Sequence, residues 1–460
     1  MKFASTALGA LGASVLLSSA GALDLDINSE DSIKKVASQV AAGMRKVYTG
    51  DKPGDVPGNL PDPYYWWECG AMFGALIDYW YYTGDDQYNN ITIQAMKHQI
   101  GEEIIAFMPQ NQTKTLGNDD QAFWGMAAMS AAENKLPDMK DGPSWLALAQ
   151  GVYNTQVERW SNTCGGGLNW QIFKFNQGFT YKNTISNGCF FNIAARLYKY
   201  TGNVTYGVEA EKHWDWEVKT KLFEVKDGGY HFYDGADERD NCQKIEPIQW
   251  TYNIGVHLAG ATAMWNASIA ANNQTQKDRW AKEIDLLIKG LDIFFPDGIM
   301  KEVACEDIGT CNTDQRSFKA YLSRWMGYAI LTARELTFKD LWARIQKSAP
   351  AAAKNCVSAT DTEANCDLKW NPSATKDGKT GVGENMSVLE IVQALLVNKA
   401  PGPVTQQTGG TSKSDPSAGG GIMSPPVVLN PVTTAGRAGA GILTALVLGA
   451  TIGGAWWLVT

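Results

Sequence analysis

Two adjacent carboxylates, Asp119 and Asp120, are the residues of this chain best placed to do chemistry. They follow Gly117 and Asn118 and precede an apolar helical run that starts near Phe123. Asp and Asn at a helix start can simply cap free backbone N–H groups and suit the positive end of the helix dipole. Two carboxylates can also cleave a glycosidic bond, since one protonates the leaving oxygen while the other attacks C1 or activates water.

The spacing of the pair suits that chemistry. Neighbours on a helix diverge by about 100°, yet near a helix start their carboxyl groups can lie roughly 5–6 Å apart, as retaining glycosidases require. Two close carboxylates also raise the pKa of one of them, which an acid/base group needs. Spacing alone leaves retaining and inverting mechanisms open.

Helical runs of two kinds alternate along residues 31–398 and must position this pair. One kind is amphipathic and the other is apolar almost all round. The amphipathic runs are 31–48, 91–108, 144–162, 205–223, 275–295 and 337–354, and the apolar runs are 66–82, 119–133, 184–200, 248–266, 315–334 and 384–398. Six exposed helices alternating with six buried ones predict an all-α fold, an (α/α)6 barrel of six helical hairpins; an open α-solenoid is the alternative. Gly84 and Gly202 each follow an apolar run, where a left-handed residue is needed.

Long loops from each amphipathic run to the next apolar run open at one end of such a barrel. They are 51–66, 109–118, 163–183, 224–247, 296–314 and 355–383. We expect a cleft at this mouth, and its Trp, Tyr, Asn and Asp residues suit the faces and hydroxyls of sugars, although any single aromatic there is as readily a core residue. The candidate substrate-binding residues are Trp67, Asn118, Trp124, Trp170, Lys182, Asn183, Asn187, Asp234, Tyr252, Asn253 and Lys319.

Both chain ends carry targeting patterns. Residues 1–22 are typical of a secretory signal peptide, with a basic start, a short apolar core and a small-residue cleavage site. An apolar tail at 438–460 follows a Ser/Gly/Pro/Thr-rich linker at 401–437, which is typical of a GPI attachment signal; a tail-anchored span is the alternative. The catalytic domain is therefore expected over residues 23–400.

Composition narrows the class of protein further. The net charge is -8 without a Lys/Arg cluster, so no nucleic acid is expected as a partner. Eight cysteines suggest disulfides, with Cys305/Cys311 and Cys356/Cys366 close enough for small loops, while buried free thiols remain an alternative. No metal-ligand spacing is evident, and no metal or cofactor is predicted. Six glycosylation sequons fit a secreted glycoprotein: Asn90, Asn111, Asn203, Asn266, Asn273 and Asn385.

Four motifs occur together within about residues 24–400: Gly117-Asn-Asp-Asp-Gln-Ala-Phe-Trp124, Cys164-Gly-Gly-Gly167 with Trp170, Tyr181-Lys-Asn-Thr-Ile-Ser-Asn-Gly188 and Thr251-Tyr-Asn-Ile-Gly255. Their combination resembles glycoside hydrolase family 76, the α-1,6-mannanases, and the two chain ends resemble its fungal cell-wall branch. The resemblance implies an (α/α)6 barrel and a retaining mechanism, with Asp119 as nucleophile and Asp120 as acid/base. Gln171 stands where many bacterial members have an acid, which affects contacts with the sugar rather than the pair.

The resemblance also implies a function at the cell surface. Fungal members are expected to cleave the mannose-containing glycan of GPI anchors, or α-1,6-mannan, through a covalent glycosyl-Asp intermediate and to transfer it to wall β-glucan. A plain endo-α-1,6-mannanase and a non-catalytic mannan-binding wall protein are the alternatives, and the intact Asp pair argues against the second. The expected location is the outer face of the plasma membrane and the cell wall, through a GPI anchor.

Overall fold

The computed structural model describes residues 21–102, 105–420, 441–444, 447–449, 451 and 453, which fall into two units divided after Gly419. The first unit holds the whole barrel. In the second unit the described residues from 441 onward are helical. The predicted signal peptide up to residue 20 and the predicted anchor region at 421–440 lie outside the described residues. Among the residues described, no helix has the length and apolar character needed to span a membrane.

Twelve α-helices of the first unit form two concentric rings. The outer helices are α1 (Glu30–Arg45), α3 (Asn89–His98), α5 (Trp145–Val157), α7 (Val204–Thr220), α9 (Gln274–Gly290) and α11 (Arg334–Lys354). The inner helices are α2 (Trp66–Thr83), α4 (Asn118–Glu133), α6 (Thr184–Thr201), α8 (Thr251–Ala270), α10 (Phe318–Thr332) and α12 (Val382–Gln393). Each inner helix contacts the next, and α12 returns to contact α2. The predicted (α/α)6 barrel is therefore confirmed, and the open solenoid is excluded.

The burial of the inner ring follows from its sequence. Every residue of α12 is buried, and every residue of α4 except Asp120 is buried. A helix without a polar face is buried in the core of a protein, which here is the inside of the outer ring. Gly84 and Gly202 end α2 and α6 in the left-handed conformation, with φ of 78° and 73°, as predicted.

Several helices end before their predicted limits, and α3 differs most. The pattern predicted an outer helix over 91–108, but α3 ends at His98. The next residue, Gln99, is buried, donates its amide to the carbonyl oxygen of Pro57 at 2.6 Å and accepts the Trp66 indole N–H at 2.8 Å. Gly101 then has a φ of 92°. Tertiary hydrogen bonds and a left-handed glycine thus end a helix that periodicity alone would continue.

Short strands occur in the mouth loops, and the sequence reasoning did not predict them. They are β1 (Tyr181–Asn183), β2 (Phe223–Lys226), β3 (Gly229–Phe232), β4 (Gly235–Asp237), β5 (Ile245–Glu246), β6 (Cys356–Thr360) and β7 (Glu363–Cys366). Strand β4 pairs antiparallel with both β1 and β5, and β2–β3 and β6–β7 are hairpins. Asn183 pairs with Gly235 in this arrangement, which brings two mouth loops together beside α6.

Three disulfides stabilise the loops. Cys305–Cys311 and Cys356–Cys366 form the two small loops that were predicted. Cys164–Cys242 joins the third mouth loop to the fourth across a sequence separation of 78. Cys69 and Cys189 are free and buried. Both alternatives raised by the even cysteine count, bridges and buried thiols, therefore occur in one chain.

The sequons differ in accessibility. Asn90, Asn111, Asn203 and Asn273 are exposed. Asn385 is only 1% exposed, and its amide donates to the carbonyl oxygens of Val40 and Ala364. A glycan on Asn385 is incompatible with this packing, so that sequon is not a surface acceptor in the folded protein.

Residues 401–419, here called the strap, pack against the barrel. The backbone N–H of Val404 donates to the carbonyl oxygen of Glu133, and that of Gln406 to the carbonyl oxygen of Tyr200, both at 2.9 Å. Further along, Asn154 on α5 donates to the carbonyl oxygens of Pro416 and Ala418. The first part of the stretch predicted as a linker is therefore bound along the barrel wall.

Candidate active site

Asp119 and Asp120 lie in the first turn of α4, at the mouth of the barrel. The Gly117 N–H donates to Asp120 Oδ2 at 2.7 Å, and the Asp120 N–H donates to Asp119 Oδ1 at 3.0 Å. Asn183, at the start of α6, donates its amide to Asp119 Oδ2 at 3.3 Å. Asp120 thus acts as the helix cap that sequence analysis allowed, and both carboxylates are held in place.

Gly117 brings the two carboxyl groups together. A Cβ at this position would lie 2.3 Å from Asp119 Oδ1 and 3.2 Å from Asp120 Oδ2. Both distances are measured from the same Cβ position, so the two oxygens are at most about 5.5 Å apart. That upper limit on one oxygen pair is compatible with the roughly 5–5.5 Å between the carboxyl groups of retaining glycosidases. Any larger residue would displace the pair.

The surroundings of the pair give the two carboxyl groups different pKa values. Burial raises the pKa of both carboxyl groups, and the charge of Asp119 raises the pKa of Asp120 further. Hydrogen bonds from Asp120 N–H and Asn183 lower the pKa of Asp119 against that effect. Asp120 is therefore the group that holds a proton, and Asp119 is the group that loses one first. This division matches an acid and a nucleophile.

Two cavities meet at the pair. A cavity of about 300 Å³ lies on the Asp119 side and a cavity of about 700 Å³ lies on the other. Both are lined by the same four side chains where they join: Trp67, Asp120, Trp170 and Asp314. The smaller cavity is also lined by Asp119, Tyr181, Asn183, Asp234, Trp250 and Tyr252, and the larger by Tyr64, Tyr65, Gln112, Lys114 and Asn176. The cleft thus continues on both sides of the carboxylates.

Five of the predicted substrate-binding residues line this cleft: Trp67, Trp170, Asn183, Asp234 and Tyr252. Asp234 accepts the Tyr181 hydroxyl at 2.6 Å and the Trp250 indole N–H at 2.9 Å, so both of its oxygens are engaged. Tyr252 stacks on Phe318 with 3.9 Å between ring centroids. Aromatic and carboxylate groups therefore converge at the mouth, as expected.

The other six predicted residues do not line the cleft. Asn118 is buried and donates to the Asn169 carbonyl oxygen while accepting from Arg159, which fastens the start of α4 to the third mouth loop. Trp124 lies in the core, stacked between Trp66 and Phe107. Asn118 directly precedes the catalytic pair and Trp124 follows it by one helical turn, but both side chains point into the barrel wall.

Lys182 and Asn187 bind the backbone of the glycine-rich loop and do not line the cleft. The buried Lys182 ammonium donates to the carbonyl oxygens of Thr163 and Gly166. Asn187 accepts the Leu168 N–H at 2.8 Å and donates back to the Leu168 carbonyl oxygen at 3.1 Å. Both side chains hold the backbone of the loop that carries Trp170. They therefore support the cleft from behind and do not line it.

Asn253 and Lys319 are also buried away from the cleft. Asn253 is 1% exposed, and among the described residues its side-chain amide has no hydrogen-bond partner. Lys319 pairs with Glu306 at 2.7 Å, donates to the Leu368 carbonyl oxygen and lies over the Trp370 ring. The prediction that Lys319 binds sugar hydroxyls is wrong for this geometry, since its ammonium group is satisfied inside the barrel wall.

Tyr181, Trp250 and Asp314 also line the smaller cavity, although they were not among the predicted substrate-binding residues. Asp314 comes at the end of a mouth loop, just before an inner helix, as Asp119 and Asp120 do. That shared position was the available signal for it. In the part of the chain that the structure describes, no group of three or more His, Cys, Asp or Glu residues is arranged to hold a metal ion.

Comparisons with known proteins agree with this geometry. Residues 32–407 match the family described as Glycosyl hydrolase family 76. The chain is 42% identical to mannan endo-1,6-alpha-mannosidase DCW1 of Saccharomyces cerevisiae over 98% of each chain. It is also 42% identical to DFG5 of the same yeast, named a mannan endo-1,6-alpha-mannosidase, over 95% of this chain and 94% of that one.

Solved structures show the same relationship. Dfg5 from Chaetomium thermophilum, in complex with glucosamine, is 42% identical with a TM-score of 0.78, covering 86% of this chain and 97% of that chain. An inactive variant of the alpha-1,6-mannanase GH76A from Salegentibacter sp. HEL1_6, in complex with alpha-1,6-mannotriose, has a TM-score of 0.61 at 18% identity, covering 79% and 99%. The second likeness concerns the fold alone.

Proposed function

Because the chain belongs to glycosyl hydrolase family 76, we propose that it is a retaining, endo-acting α-1,6-mannosidase that transfers the glycan it cleaves. The donor is the mannose-containing glycan of GPI anchors, or α-1,6-mannan, and the acceptor is wall β-glucan. Membership of the family makes the chain a glycoside hydrolase. The observation that carries the proposal is the pair Asp119 and Asp120, held within about 5.5 Å at the junction of two cavities.

The first step forms a covalent intermediate. Asp119, ionised and aligned by Asn183, attacks C1 of the mannose unit, while the protonated Asp120 gives its proton to the glycosidic oxygen. The C1–O bond breaks as the C1–Oδ bond forms, and the leaving sugar departs with the proton. The lowered proton affinity of Asp119 relative to Asp120 gives each group the protonation state that this step needs.

The second step releases the glycan. Asp120, now ionised, takes the proton of an incoming hydroxyl, whose oxygen attacks C1 and frees Asp119. A water molecule gives hydrolysis, and a hydroxyl of β-glucan gives transfer. The same two residues serve both outcomes, so the occupant of the space beside Asp120 decides between them.

The cleft supports an assignment of the two sugars. The smaller cavity contains Asp119 and is suited to the mannose unit that becomes covalently bound. The larger cavity reaches Asp120 without Asp119 and is lined by Tyr64 and Tyr65, the latter 57% exposed. An aromatic surface beside the acid/base suits the leaving sugar and then the acceptor. A cleft that continues on both sides supports endo rather than exo action.

The comparisons support two features of the proposed donor, namely its glycosidic bond and its sugar composition. The named activities of the DCW1 and DFG5 relatives support an α-1,6-mannosidic bond. The glucosamine in the Chaetomium Dfg5 complex supports a donor that includes an amino sugar. The predicted GPI anchor and the location at the plasma membrane and cell wall belong to the same proposal, since tethering would raise the effective concentration of membrane-bound donors.

The test is a product analysis with the full-length chain. A labelled α-1,6-mannose oligosaccharide of the GPI-core type is incubated with and without a β-1,3-glucan, and the products are weighed by mass spectrometry. Mannose-containing fragments joined to glucan are expected from the wild type and absent from Asp119→Asn and Asp120→Asn. Free fragments alone with abundant glucan would leave only the endo-mannosidase.

A second measurement identifies which carboxylate is which. An aryl mannoside with a good leaving group needs no acid, so Asp120→Asn should still release the aryl alcohol in a burst while Asp119→Asn should not. Ser29→Ala, which removes a helix cap on α1 far from the pair, serves as a control and should keep wild-type turnover. Unchanged turnover in both Asp variants would reject the catalytic assignment and favour a mannan-binding protein.

A further inference from the structure

The glycosylation sequons are distributed unevenly between the two ends of the barrel. Outer helices begin, and inner helices end, at the closed end opposite the mouth. Asn90 lies in the first turn of α3, and Asn203 and Asn273 cap the starts of α7 and α9. Asn266 lies near the end of α8. These four sites are therefore at the closed end, away from the cleft.

Asn111, by contrast, belongs to an exposed sequon at the mouth. It lies in the short helical turn Gln110–Gln112 of the second mouth loop, and its side chain is exposed. In the part of the chain that the structure describes, no hydrogen bond involves its side-chain amide. A free Asn-x-Thr amide on a surface loop is the kind of site at which a secreted protein accepts an N-linked glycan.

The turn that carries Asn111 also forms one side of the larger cavity. Gln112 lines this cavity together with Asp120 and Asn176. Asn176, on the third mouth loop, donates its amide to the Thr113 carbonyl oxygen at 3.1 Å and so holds the turn in place. Consecutive Cα atoms are about 3.8 Å apart, so a glycan on Asn111 begins within one residue of the cavity lining.

Such a glycan would stand beside the entrance that acceptors use. The proposed function places the leaving sugar, and then the acceptor, in the larger cavity beside Asp120. An N-linked glycan is a bulky group that stays at the surface, so it takes up space at the entrance without filling the cavity. A polymer needs more of that space than a short oligosaccharide does, and the glycan should therefore slow long acceptors more than short ones.

We propose that Asn111 carries an N-linked oligosaccharide, which forms one side of the entrance to the larger cavity and limits the access of polymeric acceptors. This inference rests on the proposed function for the secretion of the chain and for the use of the cavity. The co-reactant is an oligosaccharide attached through C1 to a lipid diphosphate. The Asn111 Nδ2 bonds to C1 as the C1–O bond to the diphosphate breaks, and one amide proton passes to the departing diphosphate.

The first experiment tests the modification on the full-length chain secreted by a fungal host. An amidase that removes N-linked glycans converts each glycosylated asparagine to aspartate, and in heavy-oxygen water it marks that residue for peptide mass spectrometry. The peptide that contains Asn111 is expected to carry the mark. An unmarked Asn111 would overturn the proposal, whatever the catalytic activity of the protein.

Three variants separate the effect of the glycan from that of the residues beneath it. Asn111→Gln and Thr113→Ala both abolish the sequon, whereas Thr113→Ser keeps it. With one mannose donor, the rate of transfer to a β-1,3-glucan polymer is divided by the rate of transfer to a short β-1,3-glucan oligosaccharide. This ratio should rise several-fold in Asn111→Gln and Thr113→Ala and equal the wild-type ratio in Thr113→Ser. An unchanged ratio in both glycan-free variants would overturn the role at the entrance.

Asn90→Gln is the matched control, since it removes an exposed sequon at the closed end and should keep the wild-type ratio. A rise as large as that in Asn111→Gln would indicate a general effect of glycans and overturn the proposal. Treating the folded wild type with the amidase gives the same comparison if a variant folds poorly. If the wild type releases only free fragments, transfer is rejected. Cleavage of long against short α-1,6-mannan then tests the same entrance, because the leaving sugar occupies the larger cavity, and the ratio should change in the same variants.

Discussion

Asn183 connects the catalytic pair to helix α6 through a single amide. Its Oδ1 accepts the Ser186 N–H and caps the helix, and its Nδ2 donates to Asp119 Oδ2, both at 3.3 Å. The helix cap therefore orients the amide, and the amide aligns the carboxylate. Because the hydrogen bond also favours the ionised form of Asp119, this one residue links the fold of α6 to the state of the nucleophile.

The first prediction concerns Asn183→Asp. Aspartate is as good a helix cap as asparagine, so the fold should be kept, but a second carboxylate beside Asp119 should raise the pKa of Asp119. Loss of a hydrogen bond to a charged group costs about 1.5–3 kcal/mol, so kcat/KM should fall roughly ten- to hundred-fold. The acidic limb of the pH–rate profile should move to higher pH.

A matched control separates capping from catalysis. Ser29→Ala removes the cap of α1, where Ser29 accepts the Ser32 N–H, and should cost about 0.5–2 kcal/mol of stability without changing kcat/KM or the profile. Wild-type activity in Asn183→Asp would show that Asn183 does not align Asp119.

The ring of helices and the catalytic pair could be predicted from sequence because each has a strong local pattern. Inner helices such as α12 are largely apolar and lack a charged face, so they must be buried, and their alternation with amphipathic helices favours a closed ring. Asp119 and Asp120 stand at a helix start that must open on the mouth. For the inner helices and for the Asp pair alike, the position along the chain largely determines whether a residue lies in the core or at the mouth.

The direction of each side chain could not be predicted in the same way. Trp124 and Lys319 stand near the mouth in sequence, but one helical turn decides between the cleft and the wall, and both point into the wall. Asp314 and Trp250 point the other way. Contacts such as the Trp67–Asp314 hydrogen bond join residues 247 positions apart, and periodicity contains no information about them.

A second prediction concerns stability and pH through Glu302. This buried carboxyl accepts the N–H and hydroxyl of Thr251 at the start of α8, and burial raises its pKa to about 8. Between the ordinary pKa of a glutamate and pH 8, the folded protein keeps a proton that the unfolded chain loses, so stability falls as pH rises. The slope from this group approaches about 1.4 kcal/mol per pH unit.

Glu302→Gln isolates that contribution. Glutamine still accepts from Thr251 but does not titrate, so the fall in Tm between pH 5 and pH 8 should be smaller than in the wild type. Glu335→Gln, a change at an exposed position of α11, should follow the wild-type curve. An identical fall in Glu302→Gln and wild type would show that Glu302 is ionised throughout.

A third prediction compares two disulfides. Cys164–Cys242 closes a separation of 78 residues, whereas Cys305–Cys311 closes one of 6. In the chain-entropy account the longer loop constrains the unfolded chain more, with about 4.5 kcal/mol for the long loop against about 2.4 kcal/mol for the short one. Replacing Cys164 and Cys242 together by serine should therefore lower Tm more than replacing Cys305 and Cys311. The opposite order, measured by thermal unfolding, would contradict this account.

The last prediction concerns the strap, residues 401–419. It bonds to Glu133 and Tyr200 at the inner helices and to Gln150 and Asn154 on α5. A Cβ at Gly419 would lie 2.6 Å from the Gly151 carbonyl oxygen, so the two backbones are in close contact. A chain that ends at residue 400 should therefore unfold a few degrees below one that ends at residue 419.

The same comparison tests where the folded unit ends. Both shortened chains keep Asp119, Asp120 and every residue lining the two cavities, so their kcat/KM should agree at a temperature well below either midpoint. Asn154→Ala in the longer chain removes two hydrogen bonds to the strap and should lower Tm by part of the difference. Equal midpoints for the two chains would mean that the strap adds no stability and that the barrel is complete at residue 400.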